Sequence, residues 1–168
     1  AGLQTTFPND TIVTEETWTP GQDLPKADRI WIIDPLDGTS DFSKGGDDYA
    51  VMIGLCVAGK PCLGVVYQPN TETFWYGVDV DGFQEAWEKQ GETQTALHVR
   101  PFIEKQACAM ISRSHPSKVI DQMLTDMGLH ERITRGSVGL KAGAISQGEA
   151  DIYLTATNKI KVWDTCAP

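Results

Sequence analysis

Apolar and polar positions change their rhythm midway along the chain, and the change predicts two kinds of structure. Thr11–Thr14 (Thr-Ile-Val-Thr) reads as a short strand that delivers Glu15 and Glu16 at its end. Residues 19–26, holding Pro20, Gly21 and Pro25, form a loop by their turn chemistry. Residues 29–33 (Arg-Ile-Trp-Ile-Ile) are a buried strand ending on Asp34, and 36–42 are expected to make a helical turn directly after it. Strands at 49–57 and 62–68 follow around a hairpin connection. Two more strand-like pieces, 73–78 and 82–88, flank the turn at 79–82. This half predicts an antiparallel sheet.

Near 101–105 the period lengthens. Residues 107–112 read as a strand, and 116–127 as an amphipathic helix with Val119, Ile120, Met123, Leu124 and Met127 on one face, closed by Gly128. A strand at 132–134, a helix at 140–147 and a strand at 150–154 complete an alternating α/β half. The whole is a layered α/β fold, divided into a domain over 1–104 and another over 105–168. Residues 163–168 (Trp-Asp-Thr-Cys-Ala-Pro) look like the opening of a further helix, with Asp164 as its N-cap carboxylate.

Composition narrows the functions. At 40% hydrophobic and 22% charged, the 168 residues have the makeup of a globular protein. No run approaches the roughly 18 apolar residues of a membrane span. Acidic residues outnumber basic ones 23 to 14, a net charge of −9, which repels nucleic-acid backbones and anionic lipid. A small phosphorylated substrate stays compatible with that charge only if a cation reverses the local field. Cys56, Cys62, Cys108 and Cys166 show no metal-binding spacing, so free thiols in a reducing compartment, the cytoplasm, are expected. A homodimer is allowed.

The chemistry concentrates in Asp34-Pro35-Leu36-Asp37-Gly38-Thr39. A buried strand presents Asp34 at its exit, and Pro35 fixes the backbone without an N–H. Asp37 can then turn back toward Asp34, with the Leu36 carbonyl aimed the same way. Two carboxylates and a carbonyl are the oxygen donors that a hard cation takes. Gly38 and Thr39 open the next turn, whose amides suit a phosphate. An isolated pair of aspartates at this spacing more often caps backbone amides, but the full hexapeptide after an apolar strand is far more specific. Glu15 and Asp164 are weak signals alone, an acidic loop and a helix cap.

Together, Glu15-Glu16, the hexapeptide at 34–39 and Trp163-Asp164 resemble the inositol monophosphatase superfamily of lithium-sensitive, magnesium-dependent phosphatases. The resemblance implies an αβαβα sandwich, incomplete in this chain. It also implies two or three Mg²⁺ ions held by Glu15, Asp34, Asp37, Asp164 and the Leu36 carbonyl. Thr39, with Glu15 and Asp37, would serve catalysis by orienting the attacking water, and the Gly38 and Thr39 amides would hold phosphate. Within that superfamily, residues 111–115, 136–141 and 161–168 are similar to the 3'(2'),5'-bisphosphate nucleotidases, which remove the 3'-phosphate of adenosine 3',5'-bisphosphate. By that resemblance Ser137 and Lys141 contact the retained 5'-phosphate, at a second anion site away from the metals, and His115 lies by the nucleoside.

Each of these has a plainer alternative: Ser137 as the cap of the 140–147 helix, Lys141 and Arg113 as surface charges, His115 as a helix-start residue. Two other functions stay open, an inositol or sugar monophosphatase and a non-catalytic metal- or nucleotide-binding fragment. Family members extend before residue 1 and past residue 168, so the chain is expected to be a piece of a longer protein.

Overall fold

The computed structural model describes residues 2–19, 21–158 and 160–168; Pro20, expected in a loop, lies outside them. A short helix α1 (Gly2–Thr6) precedes strand β1 (Thr11–Thr14), and a 3-10 turn over Glu15–Thr17 follows it. Strand β2 (Arg29–Asp37) leads to the single-turn helix α2 (Thr39–Phe42). A meander then runs through β3 (Ala50–Val57), β4 (Lys60–Gln68), β5 (Thr73–Val80), β6 (Phe83–Gln90) and β7 (Thr93–Ala96). The second half comprises β8 (Cys108–Ser112), α3 (Lys118–Asp126), β9 (Glu131–Arg135), α4 (Val138–Ser146), β10 (Ile152–Tyr153) and α5 (Trp163–Cys166).

The first seven strands form one sheet in sequence order, antiparallel from β2 onward, with β1 parallel to β2 at its edge. The turn expected at 79–82 is the tight pair Asp81-Gly82, whose φ values of 50° and 86° suit the right-handed twist of a two-residue hairpin. The other sheet has the order β10-β8-β9, all parallel, with α3 and α4 as its crossovers.

Helix α4 lies between the two sheets. On one side Leu140 packs with Ala50, Met52 and Val66 of β3 and β4. On the other, Ala144 packs with Cys108 and Met110 of β8. The small residues of the helix make this closeness possible. A Cβ at Gly139 would stand 2.7 Å from the Met52 sulfur, and one at Gly143 would stand 3.0 Å from the Trp75 ring. Strand alternation supplies the outer layer: Ala107 and Ala109 face the opposite way from Cys108 and Met110, onto Ile120 and Leu124 of α3. The result is a layered α/β fold.

The predicted apolar face of α3 is only partly buried. Ile120 and Leu124 are inside, whereas Val119, Met123 and Met127 are exposed, because α3 covers its sheet as an outermost layer along one seam. Ser117 caps it, accepting from the Ile120 amide. At the far end of the large sheet, Trp163 and Cys166 of α5 pack on Val13, Ile30 and Ile32. All four cysteines are free, with the Cys56 and Cys166 sulfurs 3.5 Å apart. Among the described residues no helix is long and apolar enough to cross a membrane.

Candidate metal centre

Strand β2 runs further than its apolar pattern suggests. It continues through Pro35 and Leu36 to Asp37, so the helical turn expected from residue 36 begins only at Thr39. Asp34 pairs with Met52 and Asp37 with Ala50, so β2 advances three residues while β3 advances two. That extra residue is a β-bulge, and it decides the chemistry. Side chains three apart on a regular strand point to opposite faces; the bulge returns Asp37 to the face of Asp34. Pro35 is tolerated here because a bulge leaves a ladder position unpaired. The Leu36 amide is satisfied by Asp34 itself, donating to Oδ1 at 2.9 Å.

Asp34 shares its face with Ile30 and Ile32, the residues that carry α5, so the step of two brings it to Asp164. One oxygen each from Asp34, Asp37 and Asp164 lie within 4.8 Å of one another. Asp34 and Asp37 are buried and Asp164 is half-buried. Glu15, in the turn that follows β1, lies near enough to the group for the charges of Asp164 and Asp37 to act on it. Asp164 is not the cap of α5, which starts after Val162; its Oδ2 accepts from the Lys161 amide at 2.6 Å. Like-charged, all-oxygen donors converging on one point fit a hard divalent cation.

Asp37 is held from the second half of the chain. Its Oδ2 accepts from the Gly139 amide at 2.9 Å and from the Ser137 hydroxyl. Ser137 also accepts from the Leu140 amide at 3.0 Å, so one hydroxyl caps α4 and orients Asp37 together. Lys141 is 1% exposed, and its Nζ donates to the Gly136 and Ser137 carbonyls, each at 2.9 Å. Its ammonium also lies 5.0 Å from the centre of the Tyr153 ring.

A model of the inositol monophosphatase family matches residues 1–168, the full length given. The chain belongs to the inositol monophosphatase family. The 3'(2'),5'-bisphosphate nucleotidase CysQ of Salmonella typhimurium is 32% identical over 166 residues, covering 99% of this chain and 64% of the relative. The chain thus spans about two thirds of the curated relatives it matches. Among solved structures, SuhB of Mycobacterium tuberculosis superposes with a TM-score of 0.79 at 22% identity, covering 99% of this chain and 64% of that one. CysQ from Bacteroides thetaiotaomicron gives 0.78 at 24% identity, covering 97% and 65%. These superpositions establish the family's fold.

Of the four carboxylates expected from the sequence, Asp34, Asp37 and Asp164 converge, and Glu15 lies near enough to feel their charge. Thr39 is exposed beside them, its hydroxyl donating to the Leu36 carbonyl at 3.0 Å. Gly38 sits at φ +90° against the backbone of Asp48. Helix α2 has only four residues, so the phosphate-attracting dipole expected at Gly38-Thr39 is one turn's worth. Ser137 and Lys141 do not form a separate exposed anion site, because both turn inward and the Gly139 and Leu140 amides of α4 are taken by Asp37 and Ser137. His115 is exposed, in the wall of a cavity of about 500 Å³ with Ser112, Ser114, Asp121 and Thr155, and none of the clustered carboxylates lines that cavity.

Two carboxylates that the sequence does not single out, Asp41 and Asp48, are buried here, and Arg113, whose plainer reading is a surface charge, bridges them. A cation at the carboxyl end of a parallel strand was the available signal, since open α/β sheets build their sites there.

Burial sets the electrostatics of the cluster. It pushes Asp34 up to about 8, aided by repulsion from Asp37, Glu15 and Asp164 and opposed by the Leu36 amide. Asp37, Asp164 and Glu15 are raised too, first by burial. Burial lowers Lys141 to about 8, against the pull of Asp37, Asp48 and Asp164. From the ordinary carboxylate value of 3.8 up to about 8, native Asp34 keeps a proton that the unfolded chain has lost. Stability of the metal-free protein should therefore fall as pH rises through that window, by up to about 1.4 kcal/mol per pH unit. Thermal melts in chelator are expected to give a lower Tm at pH 7.5 than at pH 5.5, with Mg²⁺ restoring it at pH 7.5. A Tm that rises over the same interval without metal would contradict the raised carboxylates.

Proposed function

We propose that the protein is a Mg²⁺-dependent phosphomonoesterase acting on the 3'-phosphate of adenosine 3',5'-bisphosphate. The observation that carries the reaction class is the convergence of Asp34, Asp37 and Asp164, from two distant segments, on one all-oxygen site. Bound there, two or three Mg²⁺ ions would supply an activated water and neutralise the phosphoryl oxygens and the leaving alkoxide. The ligands would be Glu15, Asp34, Asp37, Asp164 and the Leu36 carbonyl.

The remaining work falls to the chain itself. Thr39, already bonded to the Leu36 carbonyl, is proposed to orient the attacking water. The Gly38 and Thr39 amides are proposed to receive the phosphate. Ser137 fixes one Asp37 oxygen so that the other is free to face a cation. Lys141 ties down the loop bearing Ser137 and offsets the negative charge from behind. His115 is proposed to contact the nucleoside from the wall of its cavity. The division at residue 104, between a metal-binding unit and a substrate-binding unit, belongs to the same proposal, as does a cytoplasmic setting for the four free thiols.

The choice of substrate is supported by the curated relatives named 3'(2'),5'-bisphosphate nucleotidase, six of which share 29–32% identity over 99% of the chain. Phosphate release from adenosine 3',5'-bisphosphate and from inositol 1-phosphate, compared with Mg²⁺ present, tests it. The bisphosphate is expected to turn over faster. Preference for the inositol ester would move the substrate and keep the reaction class, and release from neither would overturn both.

A further inference from the structure

The two halves of the site come from different sheets, and something must hold them in register. Arg113 follows β8, where its amide donates to the Arg135 carbonyl at 3.0 Å, extending the ladder with β9 by one bond. Its guanidinium crosses to the other half of the molecule. One nitrogen, Nη1, donates to Asp41 Oδ1 at 2.8 Å, and the other, Nη2, reaches Asp48 Oδ2 at 2.6 Å. The guanidinium side chain is 47% exposed, whereas the two carboxylates are only 10% and 6% exposed. Two buried anions thus share one rigid, planar fork, which a single-point ammonium could not span.

Both carboxylates are tied to the metal motif. Asp41 lies in the turn that opens at Thr39, and its amide donates to the Gly38 carbonyl at 2.9 Å. The Asp48 backbone touches Gly38 so closely that a Cβ there would stand 2.4 Å from its carbonyl oxygen. Across the seam, Asp48 Oδ2 accepts from the Gly136 amide at 3.2 Å, and Arg135 approaches Oδ1 at 3.5 Å. Gly136 is pressed against Asp41, where a Cβ would fall 2.1 Å from Oδ2. The next residue is Ser137, which grips Asp37.

We infer that Arg113 is a positioning residue, clamping the Gly38–Asp41 turn to the Gly136–Ser137 loop so that Ser137 meets Asp37 at the geometry a cation needs. This rests on the reading of the carboxylate cluster as a divalent-cation site. Arg113 acts through Asp41, Asp48 and Ser137, and touches neither ion nor substrate. Partners that orient a metal ligand typically change affinity by about 10- to 100-fold when removed.

The test is Arg113→Gln beside Arg113→Lys and the double variant Arg113→Gln/Asp41→Asn, with Mn²⁺ affinity by calorimetry, steady-state kinetics and a crystal structure. R113Q is expected to weaken Mn²⁺ binding about tenfold and lower kcat by a similar factor, with KM changed less than about threefold. R113K should recover only part of the loss, and the double variant should lose little beyond R113Q. A raised KM with unchanged Mn²⁺ affinity would make Arg113 a substrate contact and overturn the proposal. A lowered Tm with normal kcat and normal metal affinity would make it merely structural, which also overturns it. Should the wild-type protein bind no Mn²⁺, the metal reading fails, and the crystal structure still decides the clamp. A lost Ser137–Asp37 hydrogen bond in R113Q supports it, and an intact one refutes it.

Discussion

Replacing Asp37 with Asn is expected to lower phosphatase turnover by at least about a hundredfold while leaving the fold intact. Asn keeps the shape of the side chain, and its carbonyl oxygen can still accept from the Gly139 amide at the position Asp37 Oδ2 now holds. What it loses is the charge that draws a cation to a site built from like charges. Asp37 is 7% exposed, so removing its charge also removes a desolvation cost, and the Tm of the metal-free variant should hold or rise. Kinetics at saturating Mg²⁺ with a parallel thermal melt separate the two effects. A near-normal kcat would take Asp37 out of the role, and a collapsed Tm would show that it serves the fold instead.

Gly38→Ala is the second large effect, and it acts through the backbone. Gly38 has φ +90°, a conformation that costs a side-chain-bearing residue about 1–3 kcal/mol. Its Cβ would also meet the Asp48 carbonyl oxygen at 2.4 Å, a backbone atom pinned between β3 and the Arg113 bridge. Strain and clash together should destabilise the protein by roughly 3 kcal/mol or more. For a chain of this size that is a Tm lower by roughly 6–12 °C. Relief of the clash would push Thr39 away from Leu36, so activity at low temperature should fall as well. A Tm within 2 °C or so of the wild type would mean the turn does not take the conformation described.

The sequence shows the donors of the site more readily than their arrangement. Asp34 and Asp37 stand out because the run before them is apolar and the hexapeptide is specific, and β1 appears at its exact span of Thr11–Thr14. The bulge that brings the two aspartates to one face leaves no mark in the hydrophobic pattern, which is why a helical turn was expected over residues that are still strand. Strand β7 (Thr-Gln-Thr-Ala) is exposed throughout and pairs only at an edge, so it has no apolar alternation to show. Ser137 illustrates a different gap. Capping and site function look like rival explanations along the chain, yet its hydroxyl both donates and accepts, and it serves Asp37 and Leu140 together.

Lys141 departs from the surface role its position suggests, whereas Arg113 keeps it. A lysine one turn into a helix usually faces water, but α4 is sandwiched between two sheets, and Lys141 is enclosed. Arg113 does reach the surface, and it still neutralises two carboxylates that do not. Which cation ends up buried depends on how the layers stack, and stacking is a property of residues far apart in the chain.

Anomalous diffraction from a crystal soaked in Mn²⁺ bears most directly on the metal site. At least one Mn²⁺ peak is expected within coordination distance of Asp34, Asp37 and Asp164. A map with no peak there, with the three carboxylates bonded only to the amides of Leu36, Gly139 and Lys161 and to the Ser137 hydroxyl, would contradict it.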